Sequence, residues 1–197
     1  VSIGRIKRNL PTNSHIGLIL TNRDYHQGGS GSLVELDSMI NFWDDYIFDM
    51  NFAKSNTQEG KINFLDTTDT FAGRTYAMDG ESFSGTAQNI RFRKATDGMR
   101  VGIKYKEVSP TYRAHVGFVG KNGYKEKNYW YGRTFRYQGV IRQIDLSTMN
   151  HNRFNYQDKK TKEFYKIEAK IDTSFNFKVS AELKVKPSET YKDQAFG

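Results

Sequence analysis

Apolar and polar residues alternate with a period of two along most of this chain. The longest run places Phe175, Phe177, Val179, Ala181, Leu183 and Val185 against Asn176, Lys178, Ser180, Glu182, Lys184 and Lys186. Similar runs start at Tyr46, Met99 and Tyr165, and weaker ones cover 16–20, 34–42, 88–92 and 129–137. Strict alternation puts the two classes on opposite faces of a β-strand. Since no comparable stretch fits a helical stripe equally well, the sequence predicts an all-β chain of about nine to eleven strands.

Turn-forming residues separate these runs. They lie at 9–14, 28–32, 96–98 and 121–123 and at the pairs Asp44-Asp45 and Thr173-Ser174, where Gly, Asn, Asp and Ser favour tight turns. The less periodic stretch 55–75 is predicted to be a long loop, and Gly28–Ser32 also has the composition of a flexible linker. With neither a repeat nor a domain boundary, we expect one all-β domain over 1–197, or a fragment of one.

Two architectures fit this pattern. A soluble sandwich or barrel buries its apolar face, whereas a transmembrane β-barrel turns the apolar face to lipid and the polar face inward. Three features favour the barrel in a membrane. The strong runs approach ten residues, aromatic residues cluster at run ends (Phe42, Trp43, Tyr46; Tyr129, Trp130, Tyr131; Phe175, Phe177), and short connections alternate with long ones. Each feature also occurs in soluble β-proteins, so alternation alone leaves both architectures open.

Composition removes several other classes. The 197 residues contain no Cys, which excludes a disulfide framework, thiolate metal sites and a Cys nucleophile. No run of 18 apolar residues predicts a transmembrane helix, and the first residues lack the features of a signal peptide. The sequence does not start with Met, and we expect a mature protein or, more in keeping with a start inside a strand, an excised fragment.

Several short segments resemble a known family. They are Gly4–Leu10, Asn13-Ser14, Ile16–Leu18, Thr21–Arg23, Asn41–Tyr46, Ala114–Val119 and Gly123-Tyr124. In order and spacing, over most of 1–147, they resemble the barrel region of Bacteroidetes-type outer-membrane proteins of unknown function, in which that region follows a family-9-like carbohydrate-binding module. The resemblance implies an outer-membrane β-barrel. Because the module is absent and the family members are longer, this chain would be an internal portion, and no sugar-binding or catalytic residue carries over.

Candidate catalytic chemistry is sparse. His15, His26, His115 and His151 form none of the usual metal-binding spacings; we expect His15 and His115 on strands and His26 and His151 in loops. The carboxylates Asp44, Asp45, Asp66, Asp69, Asp79 and Glu81 could supply a glycosidase acid and base only if two lay about 5–9 Å apart. Without a nucleophile or phosphate-loop motif, the sequence predicts no catalytic residue, metal or cofactor.

The excess of basic residues, 30 against 22 acidic for a net charge of +8, calls for a partner. Arg91, Arg93, Lys94 and Arg100 flank one hairpin, and Arg133, Arg136 and Arg142 alternate with aromatic residues. Such a pattern can stack single-stranded nucleic acid, but no RNA-binding signature accompanies it. In a barrel, inward cations favour anionic solutes, and outward ones pair with phosphates of lipid or lipopolysaccharide.

The leading hypothesis is a portion of an outer-membrane, antiparallel up-and-down β-barrel with a polar, positively charged interior. Its role would be solute passage or surface handling, extending to glycan-derived material through the resemblance. The predicted interior residues are Arg100, Lys104, Lys106, Glu168, Lys170, Lys178, Glu182 and Lys184. The alternative is a soluble periplasmic or secreted carbohydrate-binding module, with Trp43, Tyr129, Trp130 and Tyr131 as stacking residues. A glycoside hydrolase is the third class considered.

Overall fold

The computed structural model describes residues 1–26, 28–43, 45–62, 70–71, 74–75, 78–116 and 119–186. Its strands are β1 (Ser2–Leu10), β2 (Ser14–Asp24), β3 (Ser30–Phe42), β4 (Tyr46–Gln58), β5 (Lys61–Ile62), β6 (Thr70–Phe71), β7 (Arg74–Thr75), β8 (Met78–Asp79), β9 (Ser82–Ala95), β10 (Met99–Val108), β11 (Tyr124–Arg136), β12 (Ile141–Asn155), β13 (Lys160–Thr173) and β14 (Lys178–Val185). In the described ranges no helix has the length and apolarity needed to span a membrane.

Ten long strands form one antiparallel sheet. Their order is β1-β2-β3-β4-β9-β10-β11-β12-β13-β14, so each strand pairs with the next long strand along the chain. The short strands form two separate pairs, β5 with β8 and β6 with β7. The predicted all-β, antiparallel, up-and-down arrangement is therefore confirmed. Within the described residues β1 and β14 each pair with a single neighbour, so the sheet is open.

The connections differ between the two ends of the sheet. At one end, called the short-turn end, only 11–13, 43–45, 96–98, 137–140 and 174–177 join the strands. At the other, the long-connection end, lie 25–29, 59–81, 109–123 and 156–159, two of which are much longer. The predicted alternation of short and long connections is confirmed in part: the two long connections, 59–81 and 109–123, lie at the same end, but 156–159 is as short as the turns 137–140 and 174–177 on either side of it.

Alternation divides the sheet into a polar face and an apolar face. The register sets Lys104 opposite Asn128, and Arg91 opposite Lys104, on the polar face. The neighbouring residue Ile103 lies between Phe92 and Tyr129 on the apolar face. Large side chains of the apolar face stay exposed, with Ile103 at 51% and Leu183 at 60%. An apolar surface that extends across many strands is uncommon on a soluble monomer.

The only hydrophobic cluster that the described residues bury lies where the connection 109–123 folds back over the polar face. Leu33, Ala53, Val108, Tyr112 and Tyr124 form it. Small residues of the sheet make room for the connection: a Cβ at Gly85 would overlap the backbone of Tyr112, and one at Gly31 would overlap the ring of His115. The connection is thus packed against the sheet.

Some local predictions are wrong. His115 lies in the connection 109–123 and not on a strand, whereas His151 lies on β12 and not in a loop. Phe175 and Phe177 precede β14, which begins at Lys178, because residues 174–177 form the turn. The motif Ala114–Val119 looked like a strand because its apolar residues alternate, yet the described part of this segment packs as a connection.

The other strand limits move less far. The tight turn expected at Lys121–Gly123 is the end of the connection 109–123, and Tyr129–Tyr131 lie in the middle of β11. Ser55 belongs to β4, so the long loop begins at residue 59. Asp44, one residue of the predicted turn between β3 and β4, lies outside the described residues.

Candidate functional site

The polar face carries pairs of opposite charge that join adjacent strands. Asp49 on β4 accepts a hydrogen bond from Arg91 Nε at 2.9 Å and lies 3.5 Å from Arg93 Nε, both on β9. Glu126 on β11 pairs with Arg153 on β12 at 2.9 Å. Each pair brings together residues far apart in sequence, because antiparallel neighbours place them side by side. The polar face is therefore cross-linked by charge.

The eight predicted interior residues share the polar face. Arg100, Lys104 and Lys106 follow one another on β10, and their register partners Gly132, Asn128 and Glu126 continue the face on β11. Glu168 and Lys170 on β13 lie opposite Glu182 and Ser180 on β14, and Lys178 and Lys184 complete the set. The face also bears Glu126 and Asp49, so its charge is mixed.

The four predicted stacking residues do not form one platform. Trp43 lies in the turn 43–45 and is 79% exposed, with its ring 5.2 Å from that of Phe42. Tyr129 and Tyr131 project from the apolar face, because they are register partners of Ile103 and Val101. Trp130 alone lies on the polar face, opposite Gly102 and Met149.

A first pocket of about 490 Å³ opens at the long-connection end of the polar face. Its lining includes Tyr25, Thr57 and His115. The Tyr25 hydroxyl and His115 Nδ1 are 2.9 Å apart, and Thr57 Oγ1 and His115 Nε2 are 2.8 Å apart. Arg23 Nη1 donates to the His115 carbonyl at 2.9 Å. Both ring nitrogens are thereby occupied, and His115 fastens the connection 109–123 to β2 and β4.

Electrostatics around this histidine favour its neutral form. Burial, and then the cations Arg113 and Arg23, lower the pKa of His115. Arg113 also anchors the connection, since its backbone N–H donates to Ser55 Oγ at 3.1 Å. A neutral imidazole accepts one hydrogen bond and donates another, which hydroxyl partners on both sides can satisfy because a hydroxyl both donates and accepts. We interpret this histidine as a structural latch.

Three carboxylates meet beside the same pocket. Ligand oxygens of Glu59, Asp79 and Glu81 all lie within 4.8 Å of one another, and oxygen donors of this kind suit a hard cation such as Ca²⁺. Thr75 already engages two of them, its N–H donating to Glu81 at 3.3 Å and its hydroxyl to Asp79 at 3.0 Å. Burial, then Glu81 and Asp79, raise the pKa of Glu59. Of the other predicted carboxylates, Asp45 lies in the turn 43–45, and Asp44, Asp66 and Asp69 lie outside the described residues.

A second hollow, of about 350 Å³, lies farther along the polar face. Trp130 forms one wall, its six-membered ring resting on β10 where a Cβ at Gly102 would overlap it. The Arg100 guanidinium extends over Gly132, and its Nε lies 3.5 Å from the point that a Cβ at residue 132 would occupy. Lys166, Glu168 and Lys170 of β13 form the far side. We call this site the Trp130 hollow.

Sequence reasoning missed the residues that seat the connection 109–123. Gly31, Ala53, Ser55, Gly85 and Ala87 are small residues on the polar parity of three adjacent strands. A run of small residues on neighbouring strands indicates a close approach of another chain segment. That signal was present in the sequence but could be recognised only once the register aligned the three strands.

Comparison with models of known families, with curated proteins and with solved structures finds no match to this chain.

Proposed function

We propose that this chain forms a sector of a membrane-spanning β-barrel of the outer-membrane kind, whose polar face handles solutes. The observation that carries the proposal is the apolar face itself. It runs across the ten-stranded sheet, its large side chains stay exposed, and nothing in the described residues covers it. Lipid is the partner that suits such a face, since transmembrane strands point apolar residues outward and polar ones inward.

The strand lengths support a membrane location. The ten strands have between 8 and 15 residues, and a tilted strand needs about 9–11 residues to cross the hydrocarbon core. Aromatic residues mark the short-turn border of the apolar face, where the rings of Phe42 and Tyr46 stack at 5.8 Å and Tyr46 and Phe92 lie 5.7 Å apart. Girdles of this kind are typical of membrane interfaces.

The slant of the apolar residues gives a further argument. Ser38 lies at the midpoint of the apolar run 34–42 on β3. The residues in register with it on the following strands are Met50, Ile90, Tyr105, Lys127, Asn152 and, on β13, Glu163. The apolar run of β13, from Tyr165 to Ile171, is centred about five residues farther along. The apolar residues therefore form a band that crosses the sheet obliquely. With ~3.3 Å per residue along a strand and ~4.8 Å between strands, the strands tilt by roughly 30° from the direction perpendicular to this band, which would be the membrane normal. Strands of closed barrels tilt by about 35–45°, so an inclination of roughly 30° is somewhat smaller but far from the upright arrangement of an untilted sheet.

The long-connection end fits a role in solute handling. The connection 109–123 folds over the polar face instead of away from it, so it narrows the space beside β3, β4 and β9. In a barrel this space is the interior, and a folded-in connection restricts what enters. Several short segments of the chain resemble outer-membrane proteins whose barrel region follows a carbohydrate-binding module. Glycan-derived solutes are therefore the class to test first.

A pair of adjacent positions tests the proposal. Because the chain has no Cys, Ile103→Cys and Lys104→Cys each provide one labelling site, on the apolar and the polar face respectively. Each variant is labelled with an environment-sensitive fluorophore and folded into phosphatidylcholine vesicles. We expect brominated lipid to quench the label at residue 103 and aqueous iodide to quench the label at residue 104.

Two results would contradict the proposal. Equal quenching at both positions is one, since lipid would then not distinguish the faces. The other is a monodisperse, β-rich monomer in plain buffer, because the apolar face would then have to be covered by the protein itself. That second result would favour the soluble carbohydrate-binding module.

A further inference from the structure

The Trp130 hollow combines features that a passive polar wall does not require. A polar interior is served by small and charged side chains, yet one bulky indole lies here between Arg100 and the lysines of β13. Gly102 and Gly132, one beneath the ring and one beneath the guanidinium, leave space for both side chains. Two glycines opposite two large side chains place an aromatic surface and a cation next to each other.

The charges of the hollow are unequally engaged. Lys166 pairs with Glu168 at 3.3 Å and Glu182 at 2.6 Å, and Lys170 pairs with Glu168 at 3.3 Å. Arg100 has no ion pair within 4 Å among the residues that the structure describes, and its side chain is exposed. Asp145, on the same face, accepts hydrogen bonds from Thr134 at 2.5 Å and Gln143 at 2.7 Å, and it lies within electrostatic reach of Arg100 without a direct ion pair. The Arg100 guanidinium therefore keeps its hydrogen-bond donors available to a ligand.

We propose that the Trp130 hollow binds an acidic saccharide, a sugar ring that bears a carboxylate. The apolar face of the sugar ring lies on the Trp130 indole, since aromatic rings offer a flat apolar surface to such partners. The carboxylate receives two parallel hydrogen bonds from the Arg100 guanidinium, whose fork matches carboxylate geometry. The ring hydroxyls donate to Glu168 and accept from Ser147 or Lys170.

The size and composition of the hollow suit this ligand class. Its volume of about 350 Å³ is within the range of small-molecule sites, which are mostly apolar with a few placed polar groups. A neutral sugar would leave the charge of Arg100 unmatched, and a simple anion would leave the indole without a partner. The acidic sugar engages both. This assignment rests on the proposed role of the polar face in handling solutes.

The chain's two tryptophans allow a direct test. In the Trp43→Phe variant, Trp130 is the only tryptophan, and its fluorescence reports on the hollow. The full chain, folded in detergent micelles, is titrated with trigalacturonate and, separately, with the neutral trisaccharide maltotriose. We expect a saturable change with trigalacturonate and binding at least tenfold weaker with maltotriose.

Substitutions identify the groups responsible. In the same Trp43→Phe background, Arg100→Gln should weaken trigalacturonate binding at least tenfold and leave the response to maltotriose unchanged. Arg136→Gln is the matched control, because Arg136 is on the same strand face as Trp130 but pairs with Asp97 at the short-turn end, at 2.5 Å. It should bind as the parent does. If Arg100→Gln does not fold, as judged by circular dichroism, Arg100→Lys replaces it, with an expected weakening of several-fold because lysine keeps the charge but not the two parallel hydrogen bonds.

The assignment is overturned if trigalacturonate gives no saturable change, if maltotriose binds as well, or if the folded charge variant binds unchanged. Failure of the membrane proposal looks different, because it is read from the labels at residues 103 and 104 without any sugar. A chain that inserts into vesicles but ignores trigalacturonate refutes the acidic-saccharide site alone. A chain that is monomeric in buffer and binds trigalacturonate through Arg100 refutes the membrane role alone.

Discussion

Gly85 on β9 lies directly beneath Tyr112, so close that a Cβ at residue 85 would overlap the Cα and backbone nitrogen of Tyr112. Around this contact Ser55 is fully buried and Tyr112 is 7% exposed. The Asn122 side chain donates to the Tyr112 carbonyl at 2.7 Å and ties the two limbs of the connection together. The buried cluster beneath the connection 109–123 therefore requires a residue without a Cβ at position 85.

Replacing Gly85 with Ala should displace the connection 109–123. Overpacking of a close contact costs about 1–3 kcal/mol, and we expect a loss of this size in the free energy of unfolding, measured with urea. Gly4→Ala is the control, because a Cβ there meets nothing within 4 Å. Equal stability of the two variants would show that the connection does not press on Gly85.

Acidification should weaken the latch at His115. The pKa of His115 is lowered in the folded protein by burial, Arg113 and Arg23, so the folded state binds a proton less readily than the unfolded state. The stabilisation is complete above the unfolded pKa of about 6.5 and is lost as the pH falls through the lower folded value.

Thermal unfolding at pH 7.5 and pH 5 measures this effect. The parent should lose more stability on acidification than His115→Gln, whose amide cannot titrate, and a difference of 1 kcal/mol corresponds to roughly 2–4 °C for a chain of this size. The other three histidines are present in both proteins, so the comparison isolates residue 115. Parallel pH profiles would exclude a contribution from His115.

Asp49 should matter more than an exposed carboxylate. It faces Arg91 and Arg93 together and its side chain is 15% exposed. Asp49→Asn leaves two neighbouring guanidinium groups without their shared partner, and we expect a loss of about 1–2 kcal/mol in denaturant unfolding. Asp97→Asn removes the partner of Arg136 at a fully exposed turn and should leave stability unchanged. The reverse order of effects would contradict the cross-linking role of Asp49.

A charge introduced on the apolar face should have a cost that depends on depth. If lipid covers this face, Ile103→Lys lies within the apolar band and should lose about 2–4 kcal/mol on urea unfolding from vesicles. Asn56→Lys lies on the same face of β4 but beyond the band, toward the long-connection end, and should lose about 0–1 kcal/mol. Similar losses at both positions would indicate that the face does not cross a bilayer.

The sheet could be predicted because strand alternation is a local signal. Each parity assigned from Tyr46 to Phe52, or from Met99 to Tyr105, agrees with the faces found. The eight predicted interior residues share a face for the same reason. Turn residues likewise located four of the five connections at the short-turn end, where three or four residues leave little choice of path, whereas the connection 137–140 was not predicted.

Other features could not be predicted, because they depend on which residues face each other on neighbouring strands, and this register is not a local property of the sequence. His115 and Thr57 are 58 residues apart in sequence, and no spacing rule brings them together. The same holds for Trp130 and Gly102, since a glycine gains its role from the side chain that the opposite strand delivers. Three of the four predicted stacking residues are adjacent in sequence, and adjacency on a strand sends Tyr129 and Trp130 to opposite faces.

The spacing of residues along β11 determines the order in which a solute would meet the connection 109–123 and Trp130. Tyr124 belongs to the cluster beneath the connection 109–123, and Trp130 lies six residues farther along the same strand, a distance of about 20 Å at ~3.3 Å per residue. In the proposed barrel, a solute that approached from the long-connection end would pass the connection 109–123, which His115 fastens, before it reached the indole. Size would be tested first and charge second, and the two selections could be altered independently.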